Sequence, residues 1–369
     1  MDKIKVLQVN KLYYPHTGGI EKVVQQLAEG LNDKTDMKVL VCRERGRTKV
    51  ETVNGVFVRR AGSLGVLFSL PISIPFLWQL RKMSRDRDVL HFHMPFPLGD
   101  LAGLLSGYKG KVVVWWHSDV VRQKLLMKVY RPLMERFLKR ADVIIVATKG
   151  HIDGSDYLPK YRDKCVIIPF GVDKAIEEKA DYYIQHKSPE IKKQINMLFV
   201  GRLVYYKGCD ILLKAFINVK GAELTIIGSG EMEEVLKEQA RVSGISEIVH
   251  FLGNVDEAQL SKAFENCDVF VLPSVAKSEA FGLVQIEAMA YGKPVINTNL
   301  PSGVPYVSLD HITGLTVPPS DVIALTDAMQ WMVEHEADRM EMGRKARTRV
   351  KECYQMEEML ESVMRVYQS

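Results

Sequence analysis

The most constraining feature of this 369-residue chain is that short apolar strand segments alternate with helical segments along its whole length. This alternation predicts parallel sheets with helices packed on their faces. The predicted strands fall into two sets, and each set is large enough for one doubly wound sheet. The first set comprises Ile4–Val9, Lys38–Cys42, Val56–Arg59, Val89–His93, Lys111–Trp116, Val143–Ala147 and Cys165–Ile168. The second comprises Asn196–Val200, Leu224–Ile227, Ile248–Leu252, Val269–Leu272, Val295–Asn297 and Gly314–Val317.

The chain is too long for one typical hydrophobic core, so two domains are predicted. The boundary is expected in the segment Ile168-Pro-Phe-Gly-Val-Asp173, where a proline and a glycine interrupt the pattern. Residues 1–170 then form a first domain and residues 171–353 a second. The segment after residue 353 has helical spacing and is followed by no further strand.

The charge is distributed unevenly between the two halves. The net charge is +5, but residues 1–171 carry +13 and residues 172–369 carry −8. A basic half indicates an anionic surface or ligand. A membrane leaflet is favoured over nucleic acid, because no nucleic-acid recognition module is present.

The first residues run directly into a strand, so no signal peptide is expected. The scattered cysteines indicate neither disulfides nor zinc, which favours a reducing, cytoplasmic setting. The basic half adds the expectation of peripheral contact with the inner face of the cytoplasmic membrane.

Two stretches resemble membrane-associated segments. Leu64–Leu80 is apolar, but prolines interrupt it and it is short for a bilayer span, so a buried loop and helix is the favoured interpretation. Arg122–Arg140 has the pattern of a basic amphipathic helix with seven Lys and Arg residues and one acid. Such a helix either lies in a lipid interface or packs on the core with a solvated basic face, and both alternatives remain open here.

In the first half, Gly18 and Gly19 follow the first strand and open a helix. Backbone N–H groups at such a helix start form a potential phosphate site, although a tight turn alone also explains the glycines. His117 ends another buried strand, where a purely structural role is equally compatible. His91-x-His93 is interpreted as structural, because a metal site would require further ligands that are not visible. Asp86-x-Asp88 is interpreted as a solvated turn, because it lies among arginines and precedes its strand. No metal site is expected.

The second half carries cations and carboxylates at predicted strand ends. Arg202 and Lys207 follow the strand that ends near Gly201, where ligands bind in α/β folds, and the pair suits a diphosphate. Glu279 and Glu287 are eight residues apart around a glycine that opens a helix, a separation of roughly 12 Å if the segment is helical.

Taken together, these motifs resemble the retaining GT-B glycosyltransferases of sequence family 4. The resemblance covers the whole chain. It rests on Gly18-Gly19, His117, Ile-Pro-Phe-Gly-Val-Asp at 168–173, Gly-Arg-x4-Lys-Gly at 201–208, Gly-x-Gly at 228–230 and Glu-x7-Glu at 279–287. It implies two Rossmann-like domains that face each other across a cleft, with a final helix at 354–369 that returns to the first domain.

The resemblance also implies roles for individual residues. Arg202 and Lys207 would hold the donor diphosphate, Glu279 hydroxyls of the transferred sugar, and Glu287 the ribose. His117 would lie near sugar and acceptor. The remaining implied donor-binding positions are Gly18, Gly19, Gly201, Gly228, Phe281, Gly282 and Leu283. Cations of this kind stabilise the charge on a departing diphosphate, so neither a metal nor a cofactor is expected.

The expected function is transfer of a hexose from a nucleotide diphosphate sugar to a lipid-linked glycan. The segment Val9–His16 and the acid-free loop Asn299–Ser308 resemble bacterial O-antigen mannosyl- and rhamnosyltransferases, which favours GDP-mannose as donor. The alternatives are a UDP- or dTDP-sugar carrying GlcNAc, glucose, galactose or rhamnose, or a non-catalytic subunit that binds nucleotide-sugar or glycan. A Rossmann-type oxidoreductase is disfavoured, because the Gly228-Ser-Gly230 motif lacks the third glycine of a dinucleotide fingerprint.

Overall fold

The computed structural model describes residues 3–16, 18–67, 70–120, 124–186 and 194–369. The chain forms two compact units. The first contains Met1–Ala147, Ser155–Pro169 and Glu357–Ser369, and the second contains Thr148–Gly154 and Phe170–Met356. Residues 148–154 therefore group with the second unit, although they precede the predicted boundary.

The strands are β1 Ile4–Val9, β2 Thr35–Cys42, β3 Lys49–Val53, β4 Val56–Ala61, β5 Val66–Leu67, β6 Leu70–Pro71, β7 Val89–Met94, β8 Lys111–Trp116, β9 Val143–Val146, β10 Cys165–Ile167, β11 Ile195–Val200, β12 Ala222–Ile227, β13 Val249–Gly253, β14 Val269–Val271, β15 Val295–Thr298 and β16 Gly314–Val317. The α-helices are α1 Gly19–Gly30, α2 Ile74–Met83, α3 Pro97–Leu105, α4 Lys124–Arg140, α5 Lys149–Asp153, α6 Lys174–His186, α7 Cys209–Phe216, α8 Glu233–Val242, α9 Glu257–Asn266, α10 Leu283–Ala290, α11 Val304–Val307, α12 Val322–Glu334, α13 Glu336–Cys353 and α14 Met356–Gln368. Short 3-10 helices lie at Ser84–Asp86, Leu158–Lys164 and Tyr205–Lys207.

The first unit is built on a sheet with the strand order β10-β9-β8-β7-β1-β2-β4-β3. Every strand pair in it is parallel except β3 with β4. All six residues of β7 are buried, as expected for a parallel strand covered on both faces. The chain crosses from one side of β1 to the other between β4 and β7. The ends of β1 and β7 therefore mark the point where the direction of winding reverses.

The second unit contains a sheet of entirely parallel strands in the order β13-β12-β11-β14-β15-β16. This is the doubly wound order in which ligands bind beyond the carboxyl ends of the two central strands. Here those strands are β11 and β14. A continuous core of strand side chains and apolar helix faces lies against this sheet; it includes Phe199, Leu212, Phe216, Leu236 and Met329.

The final helix, α14, packs within the first unit, which confirms the predicted return of the chain. The Tyr367 hydroxyl accepts a hydrogen bond of 2.9 Å from the side chain of Gln8. The Lys111 ammonium donates to the carbonyl of Val366. Leu360 approaches α1 so closely that a Cβ on Gly30 would lie 2.6 Å from one of its methyl carbons. The last helix is thus part of the packing of the first sheet and its helices.

The prediction that Leu64–Leu80 is buried is wrong for much of this segment. It forms the β5–β6 hairpin and α2, and α2 buries Phe76 and Leu80. Leu64, Ile74 and Trp78, however, are 77%, 66% and 69% exposed. The apolar residues of this segment outnumber those that one helix face can bury, so several of them face solvent. Phe68 and Ser69 lie outside the described residues.

The basic amphipathic pattern of Arg122–Arg140 becomes α4, and its described apolar side chains mostly face the core. Met134, Phe137 and Leu138 are buried, and the Phe137 ring packs edge-on against Phe92 at 4.8 Å. This arrangement corresponds to a core helix with a basic outer face, although Val129 is exposed. Residues 122–123 of this pattern lie outside the described part of the chain. Among the described residues, no helix combines the length and apolar character required to cross a membrane.

Candidate active site

The second unit places the predicted cations and one predicted carboxylate at the end of its two central strands. Gly201 and Arg202 directly follow β11, and Lys207 lies in the 3-10 helix that follows. Glu279 lies in the segment between β14 and α10. Because β11 and β14 are neighbours in the sheet, these residues share the edge at which the winding direction reverses. The structure therefore brings together residues that are more than 70 positions apart in the chain.

Lys207 and Glu279 form an almost buried ion pair. The Lys207 ammonium lies 2.6 Å from Glu279 Oε2, and the two side chains are 11% and 10% exposed. The Ser274 hydroxyl donates a further hydrogen bond of 3.1 Å to the same carboxylate oxygen. A buried carboxylate with a cation and a hydroxyl on one oxygen is held in a fixed position. Ser274 was missed by sequence reasoning, because a serine five residues before a glutamate carries no recognisable pattern.

Arg202 differs from Lys207 in that its side chain is exposed. Its guanidinium donates one hydrogen bond of 2.9 Å to the hydroxyl of Tyr206. The Lys207 ammonium lies 6.0 Å from the centre of the same Tyr206 ring. One aromatic side chain thus lies beside both cations of the loop. Most donors of the guanidinium remain available to an anionic ligand, because this planar group has five N–H bonds.

Glycines allow two loops to pack closely at this edge. Gly228 has a φ of +128°, and a Cβ there would lie 2.0 Å from the carbonyl oxygen of Gly201. A Cβ on Gly230 would lie 2.3 Å from the carbonyl oxygen of Leu203. The Leu203 amide in turn donates to the carbonyl of Ser229 at 2.9 Å. The Gly-x-Gly motif therefore has a packing reason: it brings the loop after β12 against the loop that carries Arg202.

The other predicted residues of this region lie at the start of α10. Gly282 has a φ of +71° and caps the helix, which begins at Leu283. Glu287 lies one turn further along and is buried. The Phe281 ring is 3% exposed and packs edge-on against Phe170 at 4.9 Å. Because the side chain is packed in the protein interior, a ligand could contact only the backbone of Phe281.

The acid-free loop at 299–308 supports the segment that precedes α10. The Gly303 amide donates to the carbonyl of Ala280 at 2.7 Å, and a Cβ on Gly303 would lie 2.6 Å from that oxygen. Val304 and Val307 are buried in α11. The loop therefore positions the backbone around Ala280 without contributing a charged side chain.

In the first unit, His117 lies directly after β8 and is buried. Its amide donates to the carbonyl of Met94 at 3.0 Å, and its Nε2 lies 2.9 Å from Nδ1 of His93. The Asp119 carboxylate accepts hydrogen bonds from Trp116 Nε1 at 3.2 Å and from the Ser155 hydroxyl at 2.7 Å. These contacts fix the short loop that carries His117.

Gly18 and Gly19 open α1, as the sequence predicts, but a carboxylate occupies the space beside them. A Cβ on Gly18 would lie 2.3 Å from Oε2 of Glu21, which is buried in the first turn of the helix. The other oxygen of Glu21 has no hydrogen-bond partner among the described residues. Acids are favoured in the first turn because of the helix dipole. Sequence reasoning overlooked this signal, and the expected phosphate role of the helix start must accommodate the negative charge of Glu21.

No group of three or more His, Cys, Asp or Glu residues arranged to bind a metal occurs within the described ranges. The two motifs that resemble metal ligands are engaged in the protein structure. Asp86 pairs with the guanidinium of Arg87 at 2.8 Å, and Asp88 accepts a hydrogen bond from the amide of Lys5 at 2.8 Å. His91 hydrogen-bonds with Tyr367 at 2.7 Å.

Family models match both parts of the chain. The model described as Glycosyltransferase Family 4 matches residues 17–175, and that described as Glycosyl transferases group 1 matches residues 183–349. The chain is 37% identical over 356 residues to the D-rhamnosyltransferase WbpZ of Pseudomonas aeruginosa, covering 95% of this chain and 92% of that protein. It is 31% identical over 369 residues to the O-antigen chain mannosyltransferase C of Escherichia coli, covering 99% and 98%.

A solved structure with the same fold is that of Anabaena HepE in complex with UDP. The TM-score is 0.78 at 16% identity, and the similarity covers 99% of this chain and 100% of that one. The two parallel-sheet units thus correspond to a GT-B fold. Because the two relatives match more than nine-tenths of the chain at over 30% identity, the chain belongs to the family 4 glycosyltransferases.

Proposed function

We propose that the chain transfers a hexose from a nucleotide diphosphate sugar to a hydroxyl of a lipid-linked glycan, with retention of the anomeric configuration. The observation that carries this proposal is the Lys207–Glu279 pair beside Arg202, at the edge where doubly wound sheets bind nucleotides. The edge offers cations for a diphosphate and a fixed carboxylate for hydroxyl groups. This combination matches the two ends of a nucleotide-sugar.

Arg202 and Lys207 bind the diphosphate in this proposal and neutralise the negative charge that grows on it during transfer. Preorganised cations in a site shielded from water are effective for this purpose. The backbone around Gly201 and the start of α10 accept close approach of the donor. Glu279 binds hydroxyls of the transferred sugar, and Glu287 binds the ribose.

Retention is proposed to follow from attack on the same face of the sugar that the diphosphate leaves. The bond between the anomeric carbon and the diphosphate oxygen breaks, and a bond from that carbon to the acceptor oxygen forms. The acceptor proton passes to the departing phosphate. The protein cations supply the charge stabilisation, so the proposed reaction is independent of a metal ion. The anomeric configuration of the product, read from its one-bond carbon–hydrogen coupling, tests retention directly; an inverted product contradicts it.

GDP-mannose is the favoured donor, and O-antigen or related surface polysaccharide synthesis the favoured setting. The name of the O-antigen chain mannosyltransferase C supports mannose and the O-antigen setting, whereas the name of the D-rhamnosyltransferase WbpZ supports rhamnose as the alternative sugar. The UDP complex of HepE supports a nucleotide diphosphate but not a particular base. UDP- and dTDP-sugars are therefore the alternatives. The acceptor is proposed to be a lipid-linked glycan made in the same pathway.

Thermal stabilisation across a panel of GDP-, UDP-, dTDP- and ADP-sugars identifies the donor. A ligand present at one hundred times its Kd stabilises the folded state by about 2.7 kcal/mol, which is a readily measured shift. Stabilisation by GDP-mannose alone supports GDP-mannose as the donor. Stabilisation by a different sugar nucleotide identifies that compound as the donor instead. Absence of a shift with every sugar nucleotide contradicts the proposed donor site. Turnover with the donor that binds then separates an enzyme from a non-catalytic binding subunit.

A peripheral membrane contact at the inner face of the cytoplasmic membrane is proposed for the first unit. Its support is the exposed apolar surface formed by Leu64, Leu67, Ile74 and Trp78, with Arg81 and Lys82 in the last turn of the same helix, α2. Apolar side chains rimmed by cations fit the boundary between acyl chains and anionic headgroups. A lipid-linked acceptor would be presented at such a surface.

Flotation with vesicles that contain anionic lipid tests this contact. Wild-type protein is expected to float at low salt and to be released at high salt. The double change Leu64→Ser and Trp78→Ser should abolish flotation, whereas Ile323→Ser, at an equally exposed apolar residue of the second unit, should leave it unchanged. Absence of flotation at low salt contradicts the proposal. Equal effects of the two variants would show that Leu64 and Trp78 do not form the contact with the membrane.

A further inference from the structure

A continuous line of hydrogen-bonded side chains is buried on one face of the first sheet. It begins at His117 after β8, passes to His93 in β7 and Gln8 in β1, and continues through Tyr367 of α14 to His91 in β7. The four links measure 2.9, 2.8, 2.9 and 2.7 Å in that order. All five residues belong to the first unit and are buried.

The Gln8 amide gives this line a direction. Its nitrogen donates to the Tyr367 hydroxyl, so its oxygen is the atom that faces Nε2 of His93. An amide oxygen only accepts hydrogen bonds, and therefore His93 must carry a proton on Nε2. Burial lowers the pKa of His93 well below its ordinary value, which keeps the ring neutral. Nδ1 of His93 then has no proton and must accept the hydrogen bond from Nε2 of His117.

The other end of the line follows the same logic. The Tyr367 hydroxyl accepts from Gln8, so its own proton is directed to Nδ1 of His91. Burial lowers the pKa of His91 to about 3 and raises that of Tyr367, so both groups are neutral at physiological pH. The His91 proton resides on Nε2, which has no hydrogen-bond partner among the described residues. Every proton in the line therefore points the same way, and hydrogen bonds aligned in this manner strengthen one another.

The rings are also held in place by stacking. His93 stacks on His91 at 4.7 Å and on His117 at 5.2 Å, with interplanar angles of 21° and 23°. The ring of Trp115 lies nearly parallel to His117 at 5.8 Å. Rotation of His117 about its side-chain bonds would break both the stack and the link to His93. The ring is thus fixed in position.

We propose that Gln8, His93 and Tyr367 are positioning residues that hold His117 as the Nε2–H tautomer, so that its Nδ1 acts only as a hydrogen-bond acceptor. Through Tyr367, the last helix of the chain controls the chemical form of a residue at the end of a central strand. A ring nitrogen that only accepts is suited to a sugar hydroxyl, which donates. This last step rests on the proposed function, whereas the tautomer itself does not.

The tautomer is measured by two-bond proton–nitrogen correlation spectra of protein labelled with ¹⁵N-histidine, and the His117 signals are assigned by their loss in His117→Gln. In the wild-type protein at neutral pH, His117 is expected to show a protonated Nε2 and an unprotonated Nδ1. A protonated Nδ1 with an unprotonated Nε2 overturns the proposal. The tautomer itself is read from the wild-type spectrum, and the His117→Gln variant serves only to assign the His117 signals.

Tyr367→Phe tests the control exerted by the last helix. Without the hydroxyl, the Gln8 amide nitrogen loses its acceptor, and rotation of the amide lets it donate to Nε2 of His93 instead. His93 would then donate from Nδ1 to His117, which shifts His117 toward the Nδ1–H tautomer. Tyr108→Phe is the matched control, because it removes a tyrosine hydroxyl of the same unit that donates to the carbonyl of Arg87, outside the relay. An unchanged His117 tautomer in Tyr367→Phe overturns the control assigned to α14.

Measurements of sugar transfer distinguish a failure of this inference from a failure of the proposed function. If His117 meets the sugar, Tyr367→Phe should lower kcat by roughly tenfold or more, with the donor KM within about twofold of the wild-type value. Equal losses in Tyr367→Phe and Tyr108→Phe overturn a specific effect of the relay on catalysis. A shifted tautomer in a chain that transfers no sugar from any donor supports the relay and contradicts the proposed function.

Discussion

The ammonium of Lys207 lies 2.6 Å from a carboxylate oxygen of Glu279, and both side chains are almost buried. The two residues follow the central strands β11 and β14, so the pair joins the two halves of the doubly wound sheet at the edge where the winding direction reverses. In the proposed reaction, Lys207 serves the diphosphate and Glu279 the sugar. In this proposal the pair holds both groups in position before the donor arrives, which is the preorganisation that electrostatic catalysis requires.

Lys207→Met should lower kcat by about 10² to 10³-fold, because it removes one cation from the growing negative charge of the diphosphate. It should also lower the free energy of unfolding, by up to about 3 kcal/mol, because Glu279 is left almost buried without its partner. Steady-state kinetics and urea denaturation measure the two effects. Lys237→Met is the control, since Lys237 forms only exposed ion pairs on α8.

The double change Lys207→Met and Glu279→Leu distinguishes the catalytic effect from the effect on folding. An apolar pair of similar volume removes the unpaired buried charge, so the double variant should be more stable than Lys207→Met. It should remain as inactive as the single variant. Recovery of activity together with stability would show that Lys207 acts on folding and not on the donor.

Arg202→Ala should lower activity and leave stability almost unchanged. Within the described part of the chain, the exposed guanidinium bonds to the Tyr206 hydroxyl at the surface, so its removal should change the free energy of unfolding by less than about 0.5 kcal/mol. The donor KM should rise, and kcat should fall by roughly tenfold or more, because the fork that binds the diphosphate is lost. Arg241→Ala is the control: this exposed arginine pairs with Glu238 on α8. Equal kinetics for Arg202→Ala and wild type would exclude the guanidinium from the donor site.

The sequence allowed most strands of both sheets to be predicted, together with the residues that meet at the carboxyl ends of β11 and β14, because each is a local pattern. Buried parallel strands are continuous apolar runs, and Arg202, Lys207 and Glu279 stand in recognisable spacings after them. The edge strand β3, Lys49–Val53, was missed because it is largely exposed and carries charged residues. The exposure of Trp78 was missed because an apolar segment does not reveal which of its side chains the core can accommodate.

The contacts that arrange the site were beyond prediction from local patterns. Gln8 and Tyr367 are 359 positions apart, yet they share a hydrogen bond. The link between His93 and His117 arises only when β7 and β8 are neighbours, and the Lys207–Glu279 pair only when β11 and β14 are. Such contacts are consequences of strand order. The sequence motifs identify the participants, whereas the fold determines which atoms meet.

Gly228→Ala should destabilise the second unit far more than an alanine at another glycine of positive φ that has open space around its Cβ. The new Cβ would lie 2.0 Å from the Gly201 carbonyl oxygen, in addition to the cost of a φ of +128°. Gly253→Ala, with a φ of +63° and open space around its Cβ, carries only the conformational cost of about 1 kcal/mol. Gly228→Ala should therefore lose at least about 2 kcal/mol more in urea denaturation. Equal losses would mean that the two loops separate easily and that Gly228 does not position Arg202.

The carboxyl group of Asp100 should make stability depend on pH between its ordinary and its shifted pKa. It lies in the first turn of α3 and accepts a hydrogen bond from the hydroxyl of Tyr130, while its other oxygen has no partner among the described residues. Burial raises its pKa from the ordinary value of 3.8 to about 8, against a smaller lowering effect of the Tyr130 hydroxyl. Between these values, the folded chain retains a proton that the unfolded chain has released. The contribution of Asp100 to stability therefore falls as the pH rises from about 4 to about 8.

Asp100→Asn removes this titration and should become more stable relative to wild type as the pH rises. The difference in the free energy of unfolding between variant and wild type should increase from pH 5.5 to pH 7.5, by at most about 1.4 kcal/mol per pH unit. The buried histidines His91 and His93 act with the opposite sign, because burial lowers their pKa and the unfolded chain binds protons below pH 6.5. Both histidines are present in the variant and in the wild type, so their contributions cancel in the difference between the two free energies of unfolding. A difference that stays constant across this range would mean that Asp100 is already ionised in the folded chain, with water or a conformational change at α3 relieving its burial.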